Sequence, residues 1–251
     1  MSSLPKWIND AVENLLPSKF KDCTITETNY ITNYLKQITF VTDLSDIYFE
    51  PAYAVGFRIN DRDFRNYSPF HFNKEKGSFD VLFHIHDTDA VGCNFINRLS
   101  VGESLKMIIP RGKRFFDPDA KIHFSIGDET SLGSSISIQE TAEESNASFV
   151  CLHEVEDPFV LENLGLYGYY TSKNNWMSIL NQINEFLREE KKAVENDEVT
   201  FYLTGNGKTM SFLRRYLKEK GVRSANIRSQ AYWIEGKKGC KYHCTAALNR
   251  R

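Results

Sequence analysis

Near Ala120 the rhythm of this chain changes, and that change limits what it can fold into. From residue 22 to 117, short β-rich runs alternate with turn signals. TITETNYITNYLKQITFVTDL, AYAVGFRIN, FDVLFHIHD and SLKMIIP carry the β-branched and aromatic residues of strands, and NKEKGS, SVGES and PRGKR mark turns. One helix is expected between them, around Gly92 to Leu99. Many strands on short connections predict an antiparallel barrel, here of six strands. Beyond Ala120 the strands IHFSIGD, ASFVCLHEV and EVTFYLTG alternate with the helical stretches SLGSSISIQETAEE, NWMSILNQINEFLREEKKAVEN and KTMSFLRRYLKEKGV. The second of these places Trp176, Ile179, Leu180, Ile183, Phe186 and Leu187 on one face, and the third stops at Gly221. Such alternation predicts a parallel sheet covered by helices. The expected fold is a β-barrel domain over 1–118, an α/β domain over 119–239 and a tail over 240–251.

Bulk properties narrow the function classes. A net charge of -2 gives no basic excess for nucleic acid to use. The opening MSSLPKWINDAVENLL carries acids early and has no long apolar run, so no membrane span is expected there. It reads as an amphipathic helix with Trp7, Ile8, Ala11, Leu15 and Leu16 on one face. Cys23, Cys93, Cys151, Cys240 and Cys244 are scattered and odd in number, which argues against a disulfide framework and for a reducing cytoplasm.

Five short constellations carry chemistry. Arg65-Asn66-Tyr67-Ser68, placed just after a strand, combines a guanidinium fork for phosphate, a ring face for a flat ligand and a hydroxyl for a ring edge. His86-Asp87-Thr88-Asp89-Ala90-Val91-Gly92-Cys93 leaves a strand and enters a helix, where small residues let backbone N–H groups approach a phosphate. Pro110-Arg111-Gly112 is a turn after another strand. Gly127-Asp128-Glu129-Thr130-Ser131-Leu132-Gly133 follows the first strand of the second half, the place where parallel α/β sheets bind nucleotides. Tyr232-Trp233-Ile234-Glu235-Gly236 supplies an aromatic pair that, by itself, packing explains.

In this order and spacing, from about Thr24 to Gly239, the five resemble the siderophore-interacting protein family of FAD-binding ferric-siderophore reductases, within the ferredoxin-reductase-like superfamily. RNYS resembles the family's R-x-Y-[ST] flavin motif. His86 to Phe95 resembles its His-Gly-…-Gly-Pro-Ala-Ser-x-Trp segment. PRG, GDETSLG and AYWIEG resemble Gly-Pro-Arg-Gly, Gly-Asp-Glu-Thr-Ala-Leu-Pro and Gly-Tyr-Trp-x-x-Gly.

The resemblance implies that the barrel holds FAD. Tyr67 would stack on the isoalloxazine, Arg65 would pair with the pyrophosphate and Ser68 would bond the flavin's polar edge. His86 would border the flavin, and the amides near Gly92 and Cys93 would hold phosphate. NADPH or NADH would enter at Gly127, Asp128, Glu129 and Thr130 and near Gly205, with Trp233 completing the cofactor site. The flavin would do the chemistry, with no catalytic side chain and no resident metal, and the acceptor would be a ferric siderophore. A basic rim for an anionic chelate is expected from Arg111, Lys113, Lys237 and Lys238, since one exposed charge contributes only about 1 kcal/mol in water. Asp87, Ala90 and Val91 depart from the family's glycines and proline, Cys93 from its serine, Gly133 from its proline and Asn206 from its glutamate. Two other functions fit the same residues: a flavin reductase using ferredoxin, a quinone or free flavin as acceptor, and a ferric-siderophore binding protein without activity.

Three other patterns are set aside. Gly205-Asn206-Gly207-Lys208-Thr209 lacks the leading glycine of a phosphate-binding P-loop, since Tyr202 stands there. His84 and His86 share a strand face without a third ligand of suitable local spacing. Cys240, His243 and Cys244 lie in the tail beyond the last motif.

Overall fold

The computed structural model describes Leu15 and residues 17–61, 63–85 and 91–236. Seven strands form the first sheet: β1 (Phe20–Thr32), β2 (Leu35–Val41), β3 (Ala54–Arg58), β4 (Phe64–Tyr67), β5 (Pro69–Asn73), β6 (Ser78–His84) and β7 (Ser104–Arg111). Their order is β4-β3-β7-β1-β2-β6-β5. The two edge strands are consecutive in the chain and separated by Ser68 alone, so the sheet must curl until its edges meet. This is the expected barrel with seven strands instead of six. The difference lies at one corner, because Pro69 has no N–H to carry a ladder onward. The path therefore splits into β4, paired with β3, and β5, paired with β6. Arg65, Asn66 and Tyr67 consequently lie within a strand, where the sequence placed them after one.

Alternation fills this barrel. Ile38 and Phe40 on β2 and Phe79, Val81 and Phe83 on β6 are buried at a period of two. Phe40 stacks on Phe57 at 4.9 Å and on Phe79 at 5.4 Å between ring centroids. The expected helix is α1 (Val91–Arg98), which buries Cys93 and Ile96. Its last turn is held by Lys36 of β2, whose Nζ donates to the carbonyls of Ile96 (3.1 Å) and Leu99 (3.0 Å).

The second sheet has the order β10-β9-β8-β11-β12, from β8 (Ile122–Asp128), β9 (Ser148–Glu154), β10 (Gly168–Thr171), β11 (Val199–Asn206) and β12 (Ile227–Trp233). β8 runs parallel to both β9 and β11, and β9 parallel to β10. The helices are α2 (Leu132–Glu144), α3 (Val160–Asn163), α4 (Trp176–Glu189), α5 (Lys191–Glu195) and α6 (Gly207–Glu219). From Val199 to Gly205 β11 is buried residue by residue, as a strand covered on both faces must be. Ile179, Ile183 and Phe186 of α4 are buried as the periodicity predicts, whereas Trp176 is exposed. The single helix expected over 175–196 divides at Glu190, because the apolar period lapses between Leu187 and Ala193. The expected N-terminal helix, apart from the exposed Leu15, and the cysteine-bearing tail lie outside the described residues.

Among the described residues two compact units result: those up to Phe49 with Tyr53–Gly112 and Trp233 to Gly236, and then Glu50–Ala52 with Lys113–Tyr232. Among the described residues no helix is long and apolar enough to cross a membrane. In the second unit β8 is both the first strand and the central one. The chain passes to β9 and β10 on one side and then to β11 and β12 on the other. That reversal leaves a crevice outside the carboxyl ends of β8 and β11, the position where open α/β sheets bind ligands.

Candidate functional site

In the first unit the barrel corner places Arg65 and Tyr67 two residues apart on β4, with side chains on one face. Tyr67 leans edge-on against Phe83 (4.5 Å) and lies tilted over Phe57 (6.2 Å), which fixes its ring. Burial pushes its hydroxyl well above tyrosine's usual range, against a downward pull from Arg65 and with a further push from Cys93. The structure thus brings Arg65, Tyr67 and Cys93 into one electrostatic neighbourhood. The Arg65 side chain is 41% exposed and, among the described residues, its guanidinium donates to Phe64's carbonyl (3.0 Å) and lies 3.9 Å from Asp63. Ser68 is the corner itself. Gly92 lies in the first turn of α1, and a Cβ there would meet only Ile59, at 3.8 Å. Arg111 closes β7 opposite Ala54, and Trp233 ends β12 and is 39% exposed. Lys113 is exposed. His86, Lys237 and Lys238 lie outside the described residues.

In the second unit the predicted residues interlock. Asp128, at the end of β8, accepts hydrogen bonds from the Thr130 amide (2.9 Å), the Thr130 hydroxyl and the Asn206 amide (2.9 Å). One buried carboxylate thereby ties the β8 turn to the end of β11. The approach is so close that only glycines fit. A Cβ on Gly127 would stand 2.5 Å from Ser131, and one on Gly205, at φ +95°, would stand 2.4 Å from the Asp128 carboxylate. Glu129 is 3% exposed and pairs with Lys173 at 3.2 Å. Desolvation raises its pKa, the Lys173 charge opposing.

Beside this knot a narrow cleft of about 10 Å³, room for about one water, has polar lining from Glu154, Thr171, Thr204 and Thr209 over an apolar floor that includes Ile126, Leu152 and Ile179. Two buried hydroxyls have no hydrogen-bond partner among the described residues, Thr204 Oγ1 in the cleft wall and Ser131 Oγ next to Gly127. An unmet buried hydroxyl costs about 1–3 kcal/mol, and a polar ligand entering the cleft could meet it. The sequence reading missed Thr204, Ser131 as a donor, and Glu154.

No family model and no curated protein matches the chain. Solved structures do. A siderophore-interacting protein from Acinetobacter baumannii is 18% identical over 87% of this chain and 92% of its own, with a TM-score of 0.69. The siderophore-interacting protein SipS from Aeromonas hydrophila is 17% identical over 88% and 93%, at 0.67. Phthalate dioxygenase reductase, described as modular for electron transfer from pyridine nucleotides to [2Fe-2S], is 14% identical over 86% and 68%, at 0.70. The antiparallel barrel followed by the parallel sheet is therefore a fold that this chain shares with these two siderophore-interacting proteins and with phthalate dioxygenase reductase.

Proposed function

We propose that this chain is a siderophore-interacting protein acting as an FAD-dependent reductase of ferric siderophores, with a nicotinamide nucleotide as electron donor. The observation that carries the reading is the switch point of the second unit. There Gly127, Asp128, Thr130 and Gly205 interlock beside two buried hydroxyls that have no partner among the described residues. The first unit, which carries the barrel, is the FAD-binding domain and the second, Lys113–Tyr232, the NAD(P)H-binding domain. FAD, when bound, accepts a hydride and hands on single electrons, and that chemistry is the cofactor's own.

The residues bind and orient. Arg65 turns from Asp63 to pair with the pyrophosphate, and a bidentate guanidinium suits that geometry. Tyr67 stays protonated at any working pH, so its hydroxyl donates a hydrogen bond and adds no negative charge beside the flavin. Ser68 at the corner and His86 border the ring, and the amides of Gly92 and Cys93 face phosphate. Gly127 to Thr130 and Gly205 receive the nicotinamide nucleotide, and Trp233 closes the cofactor site. Arg111, Lys113, Lys237 and Lys238 attract an anionic ferric chelate. Reduction releases the metal because Fe(II) is held far less tightly than Fe(III) by hard oxygen donors.

Anaerobic mixing tests the reading. Addition of reduced nicotinamide nucleotide to the FAD-loaded protein is expected to bleach the flavin bands. A ferric siderophore should then restore them and yield Fe(II) in a chelator trap. A bleached flavin that ferric siderophores leave bleached while ferredoxin, a quinone or free flavin reoxidises it would overturn the acceptor. Persistence of the flavin bands would overturn the donor.

A further inference from the structure

The nicotinamide reading leaves open which dinucleotide enters, and the charges at the strand ends bear on that choice. Register places Asp128 beside Glu154 across β8 and β9. Glu154 lines the cleft, and its Oε1 accepts the Asn174 amide at 2.9 Å. A carboxylate offers about four lone-pair sites, so one backbone donor leaves capacity for a hydroxyl. Glu156 follows two residues later and is half exposed. Glu129 packs beneath, with its Oε1 accepting the Glu156 amide at 3.2 Å. The basic group among them, Lys173, is paired to Glu129 and Glu156 at once. Lys208 begins the helix after β11, two strands away from β9, a separation of about 10 Å and comparable to the Debye length at 0.1 M salt. Desolvation raises the pKa of Glu154 and the neighbouring Asp128 charge adds to the rise, with the Asn174 amide and the Lys173 charge opposing. Among the described residues no group of three or more His, Cys, Asp or Glu side chains is placed to hold a metal ion. The second, independent sign of a ligand is the Thr204 hydroxyl, 3% exposed, in the wall of the same cleft and without a partner among the described residues.

We infer that this cleft takes the unphosphorylated dinucleotide, NADH, and rejects its 2′-phosphorylated counterpart, with Glu154 and Glu156 as the specificity-determining residues. A carboxylate at the end of the second strand of the nucleotide unit accepts hydrogen bonds from ribose hydroxyls. The same carboxylates repel a 2′-phosphate dianion, and the cation beside them is already neutralised. Specificity here comes from a repulsive element as much as from an attractive one.

The inference rests on the second unit binding a nicotinamide nucleotide at all, and calorimetric titration of the FAD-loaded full chain with NAD⁺ and with NADP⁺ separates the two claims. NAD⁺ is expected to bind at least tenfold tighter. In the Glu154→Gln, Glu156→Gln double variant, checked for an unchanged melting profile, the ratio should fall below threefold, mainly through tighter NADP⁺ binding. Equal or tighter binding of NADP⁺ by the unaltered protein overturns the preference and keeps the nicotinamide reading. A preference for NAD⁺ that survives in the variant overturns the role of the two glutamates. If neither nucleotide binds, the reading of the cleft falls together with the preference.

Discussion

Asp128 works through geometry. Its carboxylate accepts two amides and a hydroxyl from the two turns that frame the switch point, and Gly205 is the residue that lets it come so near. Replacing Gly205 with alanine puts a Cβ against that carboxylate at a backbone angle that side chains disfavour. The expected cost is about 2–3 kcal/mol, read as a lower urea midpoint of the second unit's transition with an unchanged slope. An unchanged midpoint would mean that the knot is looser than described. Gly127, Asp128 and Thr130 stood out in the sequence because glycine and aspartate close an apolar strand just before a helix, whereas Gly205 came only through the family resemblance. Thr204 and Glu154 were not legible. Their importance comes from a missing partner and from a cross-strand neighbour, and neither has a trace in local sequence. The lysines of the supposed rim show the converse, since charge in a turn is legible while its convergence is not.

Lys36 shows an element held by another. It lies on β2, 3% exposed, and both of its hydrogen bonds go to carbonyls at the end of α1, where a cation also complements the helix dipole. Lys36→Met keeps the apolar stem but strands two carbonyls, at a cost of about 2–4 kcal/mol. Hydrogen exchange in residues 91–99 should quicken well beyond that in β1 and β2, and uniform protection across the barrel would contradict this role. The strands β8, β9 and β11 and the helices α4 and α6 were legible because their apolar period is strong and long. β10 was not, since GYYT is four residues long with three exposed, and an edge strand of that kind owes its existence to its neighbour β9. β12 was missed for a related reason: IRSQAYW is only partly buried, so its pattern carries little of the alternation that betrays a strand. The barrel corner was obscured by Pro69, which breaks one path into two strands.

The two units answer acid differently. His123 and His153, both fully buried in the second unit, have pKa values lowered to about 4 by desolvation. His123 stacks on Phe116 (4.6 Å) and contacts the Tyr202 hydroxyl (2.9 Å), and His153 contacts Ser135 (2.9 Å). An unfolded chain protonates these rings near pH 6.5, whereas the folded unit resists down to about 4. Their stability contribution is therefore complete above pH 6.5 and is lost as pH falls towards 4. Hydrogen exchange at pH 7 and pH 5, corrected for intrinsic rates, should show protection falling in β8, β9 and β11 and holding in β1, β2 and β6. A His153→Gln variant should weaken that dependence, and equal loss in both units would contradict the assignment. The proposed function, however, rests on a flat cofactor entering the barrel. Titration of flavin-free protein with FAD, followed by quenching of flavin fluorescence, tests this most directly. One FAD per chain at micromolar affinity or better, weakened at least tenfold by Arg65→Ala, is the expected result. Saturating FAD with no change in fluorescence would contradict the flavoprotein account at its root.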